Sequence, residues 1–299
     1  MEIGKGRAGA GARDDGMGML TPEDAKELGL GPEAPEPYPC PHCGKPLGRR
    51  GINIGGRILW VSHEQCGCPG ELEAARKQAA LEAAEGEEKR IERLRKVGVG
   101  KRYFNATLAD PICAAFVESY VPREGMGLFI HGPVGTGKTY NAAAVTAALA
   151  LSGRGVVMTS ALRILSDVQD TYNTGESAKR ELDRYLSCEI LVLDDLGKES
   201  ASRWSVMTLF DIVNTRYESM LSTIYTSQYS LESLQERLSR AHETETAKAI
   251  VSRIRETCAD VRLYGYDRRA DPQGRQGRPR RAQSPGGGGE LGRFGGPAT

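Results

Sequence analysis

The segment Gly132-Pro133-Val134-Gly135-Thr136-Gly137-Lys138-Thr139 satisfies the spacing G-x-x-x-x-G-K-[ST] at every fixed position. The residue types explain what such a spacing is for. Glycines let successive backbone N–H groups curl around phosphate oxygens, and a helix starting near Lys138 aims the positive end of its dipole at them. Lys138 has the reach for the β- and γ-phosphates of ATP, and the Thr139 hydroxyl is a ligand for Mg²⁺. A second pair of groups suits the same chemistry. Asp194 comes near the end of the apolar run Glu189-Ile-Leu-Val-Leu-Asp-Asp, where a carboxylate can hold the metal opposite Thr139. Asp195 is then placed to polarise an attacking water. The bland alternatives are a chance glycine-rich loop and an Asp pair that caps the following helix or loop.

A different chemistry is concentrated upstream. Four of the seven cysteines, Cys40, Cys43, Cys66 and Cys68, fall close together. Cys40-Pro-His-Cys43-Gly-Lys-Pro-Leu47 is a knuckle, with two thiolates two residues apart and a glycine that lets backbone N–H groups face sulfur. Cys66-Gly-Cys68 offers a second pair. Four thiolates complete a tetrahedral Zn²⁺ site, and a site this small can supply much of its module's folding energy. C-x-C is a less usual half than C-x-x-C, so His63 in place of Cys66 or Cys68 stays open, as do reduced buried cysteines or a redox pair. His42 reads as a bystander. Catalytic zinc is not expected, since no carboxylate or water-polarising His set accompanies the cysteines. Cys113, Cys188 and Cys258 stand in apolar surroundings and read as small buried hydrophobes. Between the cysteine pairs lie Lys45, Arg49, Arg50 and Arg57 with no acid until Glu64, a basic surface suited to nucleic acid or an acidic partner.

These groups need a frame, and the chain after Val97 supplies one. Apolar runs at Gly127–Gly132, Gly155–Ser160, Glu189–Asp195, Ser222–Gln228 and Ala259–Gly265 alternate with helical stretches. Those stretches include an Ala-rich helix through Leu151, periodicity at Ile164, Val168 and Tyr172, and helices over Ser177–Leu186 and Trp204–Leu221. Near-continuous apolar strands separated by helices predict an α/β fold with a five-stranded parallel sheet covered on both faces. Residues 71–96 hold seven acids and seven bases and form a good helix by propensity. Leu72, Leu81, Ile91 and Leu94 are too sparse for a coiled-coil seam, so this is a solvated spacer with a weak point at Gly86, or else a partner-binding helix. The expected organisation is a disordered Gly/Pro-rich stretch over 1–38, a zinc-binding module over 39–70 and a charged helical linker over 71–96. An ATPase domain over 97–270 and a disordered Gly/Arg-rich tail over 271–299 follow. Residues 31–39 are too proline-rich for helix or central strand.

Composition narrows the function classes. Forty basic and 39 acidic residues give a net charge of +1, which by itself points to no partner. Glycine is in surplus, with 15 of 37 in residues 1–20 and 271–299, so the residues between them are near average and can bury a core. No stretch approaches the ~18–20 apolar residues that span a bilayer, and Met1–Leu20 lacks the apolar region of a signal peptide. The expected location is cytoplasmic, where clustered cysteines read as metal ligands before disulfides. Arg275-Gln-Gly-Arg-Pro-Arg-Arg281 can bind phosphates through counterion release, or serve only to solubilise.

Taken in order, these stations resemble AAA+ ATPases, and more closely the DnaC/DnaI-type helicase loaders and their IstB-type transposition-helper relatives, over residues 97–269. Val97-Gly-Val-Gly-Lys-Arg-Tyr103 resembles the leading segment that flanks the adenine in that family. Gly127–Thr139 and Glu189–Gly197 are similar to its Walker A and Walker B regions. Asn214-Thr-Arg-Tyr217 resembles a helix end in which Arg216 is a site residue or half of a structural salt bridge. Thr223-Ile-Tyr-Thr-Ser-Gln228 resembles the sensor 1 strand, and Ser252-Arg-Ile254 the arginine-finger segment. Gly265-Tyr-Asp-Arg-Arg269 resembles the closing glycine-to-arginine motif.

The resemblance implies roles. Gln228 stands where the family usually has Asn, keeping the amide but adding a methylene. Asp195 stands where many relatives have Glu, one methylene longer. Arg253 is the implied trans-acting finger, the family's other frequent arginine being replaced by Ala249. A surface residue paired with Glu256 is the alternative for Arg253. Arg269 is implied to sense phosphate, or else to be a solvated strand end. With no helical period after Gly265, no C-terminal lid is expected. The implied function is an ATP-hydrolysing loader that self-associates into a ring or spiral on single-stranded DNA and holds a hexameric replicative helicase through its zinc module. No membrane is involved. The alternatives are an IstB-like transposition helper and a nucleotide-switched adaptor with negligible turnover.

Overall fold

Thr21 caps the first helix of the amino-terminal part. Its hydroxyl accepts from the Asp24 N–H (3.1 Å) while the Asp24 carboxylate accepts from the Thr21 N–H (2.8 Å). This reciprocal cap starts α1 (Pro22–Glu27), with proline in its first turn where no N–H is needed. The computed structural model describes residues 18–174, 178–265 and 267. Disorder over 1–38 is therefore corrected for 18–38, where the cap, α1 and a bridge between Leu20 and Gly51 give local order. Residues 1–17 and the tail from 268 lie outside the described residues.

The chain divides into two compact units, Met1–Glu88 and Lys89–Thr299. In the first, β1 (Tyr38–Pro39) pairs with β2 (Pro46–Leu47), and β3 (Arg49–Ile54) pairs antiparallel with β4 (Arg57–His63). The β3–β4 turn uses Gly55 and Gly56 at φ 60° and 84°, a left-handed pair that glycine adopts without strain. Helix α2 (Pro69–Lys96) continues through Gly86, where propensity had marked a weak point. Leu72 and Leu81 are exposed on it, and Glu73–Lys77 pair at one turn's spacing (2.7 Å), as a solvated helix requires.

In the second unit a short 3₁₀ turn, Lys101–Tyr103, leads to α3 (Pro111–Glu118), β5 (Gly127–His131) and α4 (Lys138–Leu151). Then come β6 (Val156–Ser160), α5 (Ala161–Thr174), α6 (Ala178–Ser187), β7 (Ile190–Leu196) and α7 (Arg203–Glu218). The described elements end with β8 (Ser222–Ser227), α8 (Leu231–Ser239), α9 (Thr244–Thr257) and β9 (Cys258–Arg262). All neighbours in the sheet are parallel, in the order β6-β7-β8-β5-β9. This is the five-stranded parallel sheet flanked by helices that the alternating apolar runs predict. Among the described residues no helix follows β9.

Alternation along the strands builds two cores. Leu128, Ile130, Ile190 and Val192 face the Ala-rich α4, while Phe129, Leu191 and Leu193 face residues of α5, α7, α8 and α9. Alanine at Ala142, Ala143 and Ala147 brings α4 close to the sheet, so the loop preceding it is held against the carboxyl ends of the strands. Arg216 is corrected on one alternative. It is fully buried, and its partners are neutral groups, backbone carbonyls together with the Thr223 hydroxyl and the Cys188 sulfur, not a carboxylate. Nη1 donates to the carbonyls of Tyr185 (2.8 Å) and Cys188 (2.9 Å), Nη2 to Ser222 O (2.7 Å) and Nε to Thr223 Oγ1 (2.9 Å). It thereby fastens the end of α6 to the start of β8.

Candidate active site

The loop between β5 and α4 has the backbone the glycines were read to permit. Gly132 lies at φ 148°, and a Cβ there would collide with the Leu263 carbonyl. Gly135 lies at φ 79° with the Asp267 carboxylate packed against it, leaving no room for a side chain. Lys138 opens α4 and curls back over the loop, donating to the carbonyls of Gly132 and Pro133 (2.8 Å each). Thr136 Oγ1 also donates to Pro133 O (2.9 Å), so the turn is braced from within.

Thr139, next on α4, donates to both oxygens of Asp194 in β7 (3.1 and 3.2 Å), although the two are 55 positions apart. From the other side Thr226 in β8 donates to Asp194 Oδ1 (2.6 Å) and accepts from the Asp195 N–H (2.9 Å). Burial pushes the Asp194 carboxyl up, and Asp195 adds to this, against the lowering effect of the Thr226 and Thr139 hydroxyls and of Lys198. Asp195 has φ 60° and its carboxylate meets Lys198 Nζ at 2.8 Å. A hydroxyl and a carboxylate in contact beside a phosphate-sized backbone loop are the oxygen donors Mg²⁺ prefers. The site's chemistry thus fits a metal-bound nucleotide.

The segment Val97–Tyr103 runs beside β6. Met158 N–H donates to Val97 O (2.7 Å), and Gly98 is so close to Met158 O that a Cβ would not fit. Just after it, the Thr107 N–H donates to Tyr140 Oη (3.1 Å), bringing this stretch to the first turn of α4. Gln228 follows the Ser227–Leu196 pair at the carboxyl end of β8. Arg253 is not gathered here. Its guanidinium lies over the rings of Phe210 (5.2 Å) and Tyr217 (5.4 Å) and donates to Ala249 O (3.1 Å). Glu256, its suggested partner, instead accepts from Tyr217 Oη (2.9 Å). Arg269 lies outside the described residues.

Several residues at the site were given no role by the sequence. Thr226 lies inside the strand that resembles sensor 1, where only Gln228 was singled out. Glu199 is buried beyond Asp195 and accepts from the Gly197 N–H (2.9 Å). Arg237 of α8 donates to the carbonyls of Gly197 and Glu199, pinning the loop that leaves β7. A Glu two residues past a Leu-Gly pair could have been flagged only by knowing that this loop is buried.

In the amino-terminal unit the four cysteines converge. Their sulfurs lie within 4.8 Å of one another, with Cys43–Cys66 at 3.3 Å and Cys40–Cys68 at 3.8 Å. Sulfurs around tetrahedral zinc at its usual bond length are about 3.8 Å apart, so the cluster has the right size. The His42 backbone N–H lowers the Cys40 thiol to about 7, whereas a shared hydrogen bond with Cys43 pushes Cys66 up to about 12. His63 stacks on Tyr38 (4.6 Å) and contacts Glu64 O through Nδ1, apart from the sulfur cluster. The Cys₄ set is therefore the zinc-fitting group.

Residues 112–273, more than half of the chain, match the profile of the family described as IstB-like ATP binding protein. The chain belongs to this family. Among relatives of this IstB-like protein, the replicative helicase loader DnaI of Bacillus subtilis is 24% identical over 229 residues, 72% of this chain and 71% of the loader. The replicative helicase loader DnaC of Escherichia coli K12 is 30% identical over 104 residues, covering 34% of this chain and 42% of that loader. A putative ATP-binding protein of insertion sequence IS1162 from Pseudomonas fluorescens is 29% identical over 180 residues, 60% of this chain and 71% of the relative. The IstB-like chain thus spans less than half of DnaC but most of DnaI. No described helix is long and apolar enough to cross a membrane.

Proposed function

We propose that this protein hydrolyses ATP at Gly132–Thr139 and couples the cycle to loading a replicative helicase onto single-stranded DNA. The observation that carries the ATP reading is the contact of Thr139 with Asp194, two distant residues brought together beside the glycine loop. Loop N–H groups would bind the phosphates, and Lys138 would exchange its carbonyl partners for phosphate oxygens. Thr139 and Asp194 would hold Mg²⁺, which when bound neutralises charge on the phosphates. Asp195 would orient and deprotonate water, with the Gln228 amide beside it. Arg253 would act on a neighbouring subunit's nucleotide in a ring or spiral, where its guanidinium compensates charge developing on the γ-phosphate. Arg269 would sense the same phosphate. Cys40, Cys43, Cys66 and Cys68 would bind zinc and stabilise the unit that holds the helicase.

The loader role draws its support from the breadth of the DnaI alignment, which takes in 72% of this chain. A second reading, a transposition helper, draws on the insertion-sequence relative. Co-sedimentation of the full chain with a hexameric helicase, and separately with a transposase, decides between them. ATP-dependent helicase binding is expected; transposase binding without helicase binding overturns the loader role. Single-turnover hydrolysis with single-stranded DNA tests the enzyme. Asp195→Asn and Arg253→Ala are expected to abolish it, and turnover unchanged in both would remove those assignments.

A further inference from the structure

We propose that Thr226 is a positioning residue that sets both acids of the site through one hydroxyl, an inference that rests on the ATP-hydrolysing reading above. Thr226 is fully buried in β8. Its Oγ1 lies 2.9 Å from the Asp195 backbone nitrogen and 2.6 Å from Asp194 Oδ1. With Asp194 ionised, as a metal ligand must be, the proton arrangement has one solution. An amide N–H only donates, so the hydroxyl accepts there, and its single hydrogen is left for the Asp194 carboxylate.

This hydroxyl sits where the sheet is irregular. Leu193 pairs with Tyr225 and Leu196 with Ser227, so β7 carries one residue more than β8 across this interval. In a regular strand successive side chains alternate between faces, and a bulge removes that constraint and re-aims a side chain. The extra residue brings Asp195 to φ 60°, a conformation that a non-glycine residue keeps only when its surroundings hold it. Thr226 is the group that grips the peptide of Asp195 from the opposite strand. The same atom orients Asp194 from β8 while Thr139 orients it from α4, at 3.1 and 3.2 Å. Losing a residue that orients a metal ligand costs roughly 10–100-fold in metal affinity or activity.

The test compares the full chain with Thr226→Val, which keeps the shape and loses the hydroxyl, and Thr226→Ser, which keeps the hydroxyl. Binding of a fluorescent ATP analogue is followed across a Mg²⁺ titration and in EDTA, and hydrogen exchange of the Asp195 amide is read without nucleotide. In Thr226→Val the half-saturating Mg²⁺ should rise about 10-fold, binding in EDTA should not change, and the Asp195 amide should exchange faster. Thr226→Ser should match wild type in all three. A folded Val protein with wild-type Mg²⁺ dependence overturns the proposal. So does a Ser protein with a raised Mg²⁺ requirement, an arm that decides the matter even where the Val protein does not fold. Failure of the wild type to bind ATP with Mg²⁺ would instead remove the parent reading, and the exchange measurement would still decide whether Thr226 holds the bulge.

Discussion

The two units are held together by different means. Around the parallel sheet, two apolar clusters enclose side chains from every strand, with Leu128, Ile130, Ile190, Leu191 and Leu193 wholly removed from water. Among the described residues of the amino-terminal unit, the buried hydrophobics are Ala25, Cys40, Leu47 and Ile58, while Ile54, Leu59 and Val61 are about half exposed. A unit with so small a core needs another source of stability. Its four converging sulfurs are the candidate. The ATPase unit can afford strain and buried charge at its site because the sheet carries it; the cysteine unit has no such reserve.

The sharpest way to break this contrast is metal removal. Structural zinc contributes ~10–16 kcal/mol of binding free energy to small modules, and that energy is folding energy. Chelation, or Cys43→Ser, should therefore abolish the calorimetric transition of the amino-terminal unit and leave that of the ATPase unit in place. Zinc measured by elemental analysis should approach one per chain. Purified protein with a stoichiometry near zero, or an unaltered first transition after chelation, would end the comparison.

Next in size is Arg216→Met. The substitution keeps much of the volume but leaves the carbonyls of Tyr185, Cys188 and Ser222 without their donor. Buried acceptors stranded in this way should lower stability by about 3 kcal/mol, measured by urea unfolding of the ATPase unit. A loss below ~0.5 kcal/mol would mean that water replaces the guanidinium. Leucines at comparable positions sharpen the contrast further. Leu193→Ala, in the enclosed core, should cost about 3 kcal/mol, whereas Leu59→Ala, 53% exposed on the hairpin, should change stability by less than about 0.5 kcal/mol.

How far the sequence foretold this arrangement differs between levels. The five apolar runs and the phosphate loop were legible because period and residue type are local properties. β7 nevertheless extends through Leu196, beyond the two acids at which its apolar run stops. The bulge there was not legible, because a one-residue register slip is decided by the partner strand and leaves no mark in periodicity. Thr226 was hidden for the same reason: its hydroxyl matters only once β8 lies against β7. Arg216 was legible only as part of the Asn214–Tyr217 helix end, as a site residue or half of a salt bridge, because its carbonyl partners come from two separate segments. In residues 18–38, proline content suggested disorder while Thr21 and Asp24 held the spacing of a cap, and the cap prevailed over the composition. The zinc-fitting cluster was readable because ligand spacing is itself a sequence property, though only the structure separates His63 from it.

The smallest expected effect concerns two acids whose environments shift them in opposite directions. In the amino-terminal unit, the Thr21 backbone N–H and then its hydroxyl hold the Asp24 carboxyl below its usual range. In the ATPase unit, burial pushes Glu199 above its usual range, partly offset by backbone N–H groups and Arg237. Linkage then gives opposite signs. Asp24 contributes stability that is present above its unfolded pKa and is lost as pH falls through the depressed folded value. Glu199 binds its proton more tightly when folded, so its contribution is fully present below the unfolded carboxyl value near 4.5 and is lost as pH rises through the raised one. Urea midpoints measured at closely spaced pH values should therefore show Glu199→Gln flattening a decline of the ATPase unit's stability with rising pH. Asp24→Asn should flatten a decline of the other unit with falling pH. Because Asp194 is also raised by burial, the difference between Glu199→Gln and wild type, not the wild-type slope alone, isolates the effect. An ATPase unit whose pH slope is the same with and without Glu199 would show that its carboxylate is as well solvated by the Gly197 amide as by water, and the contrast would then rest on the metal and the core.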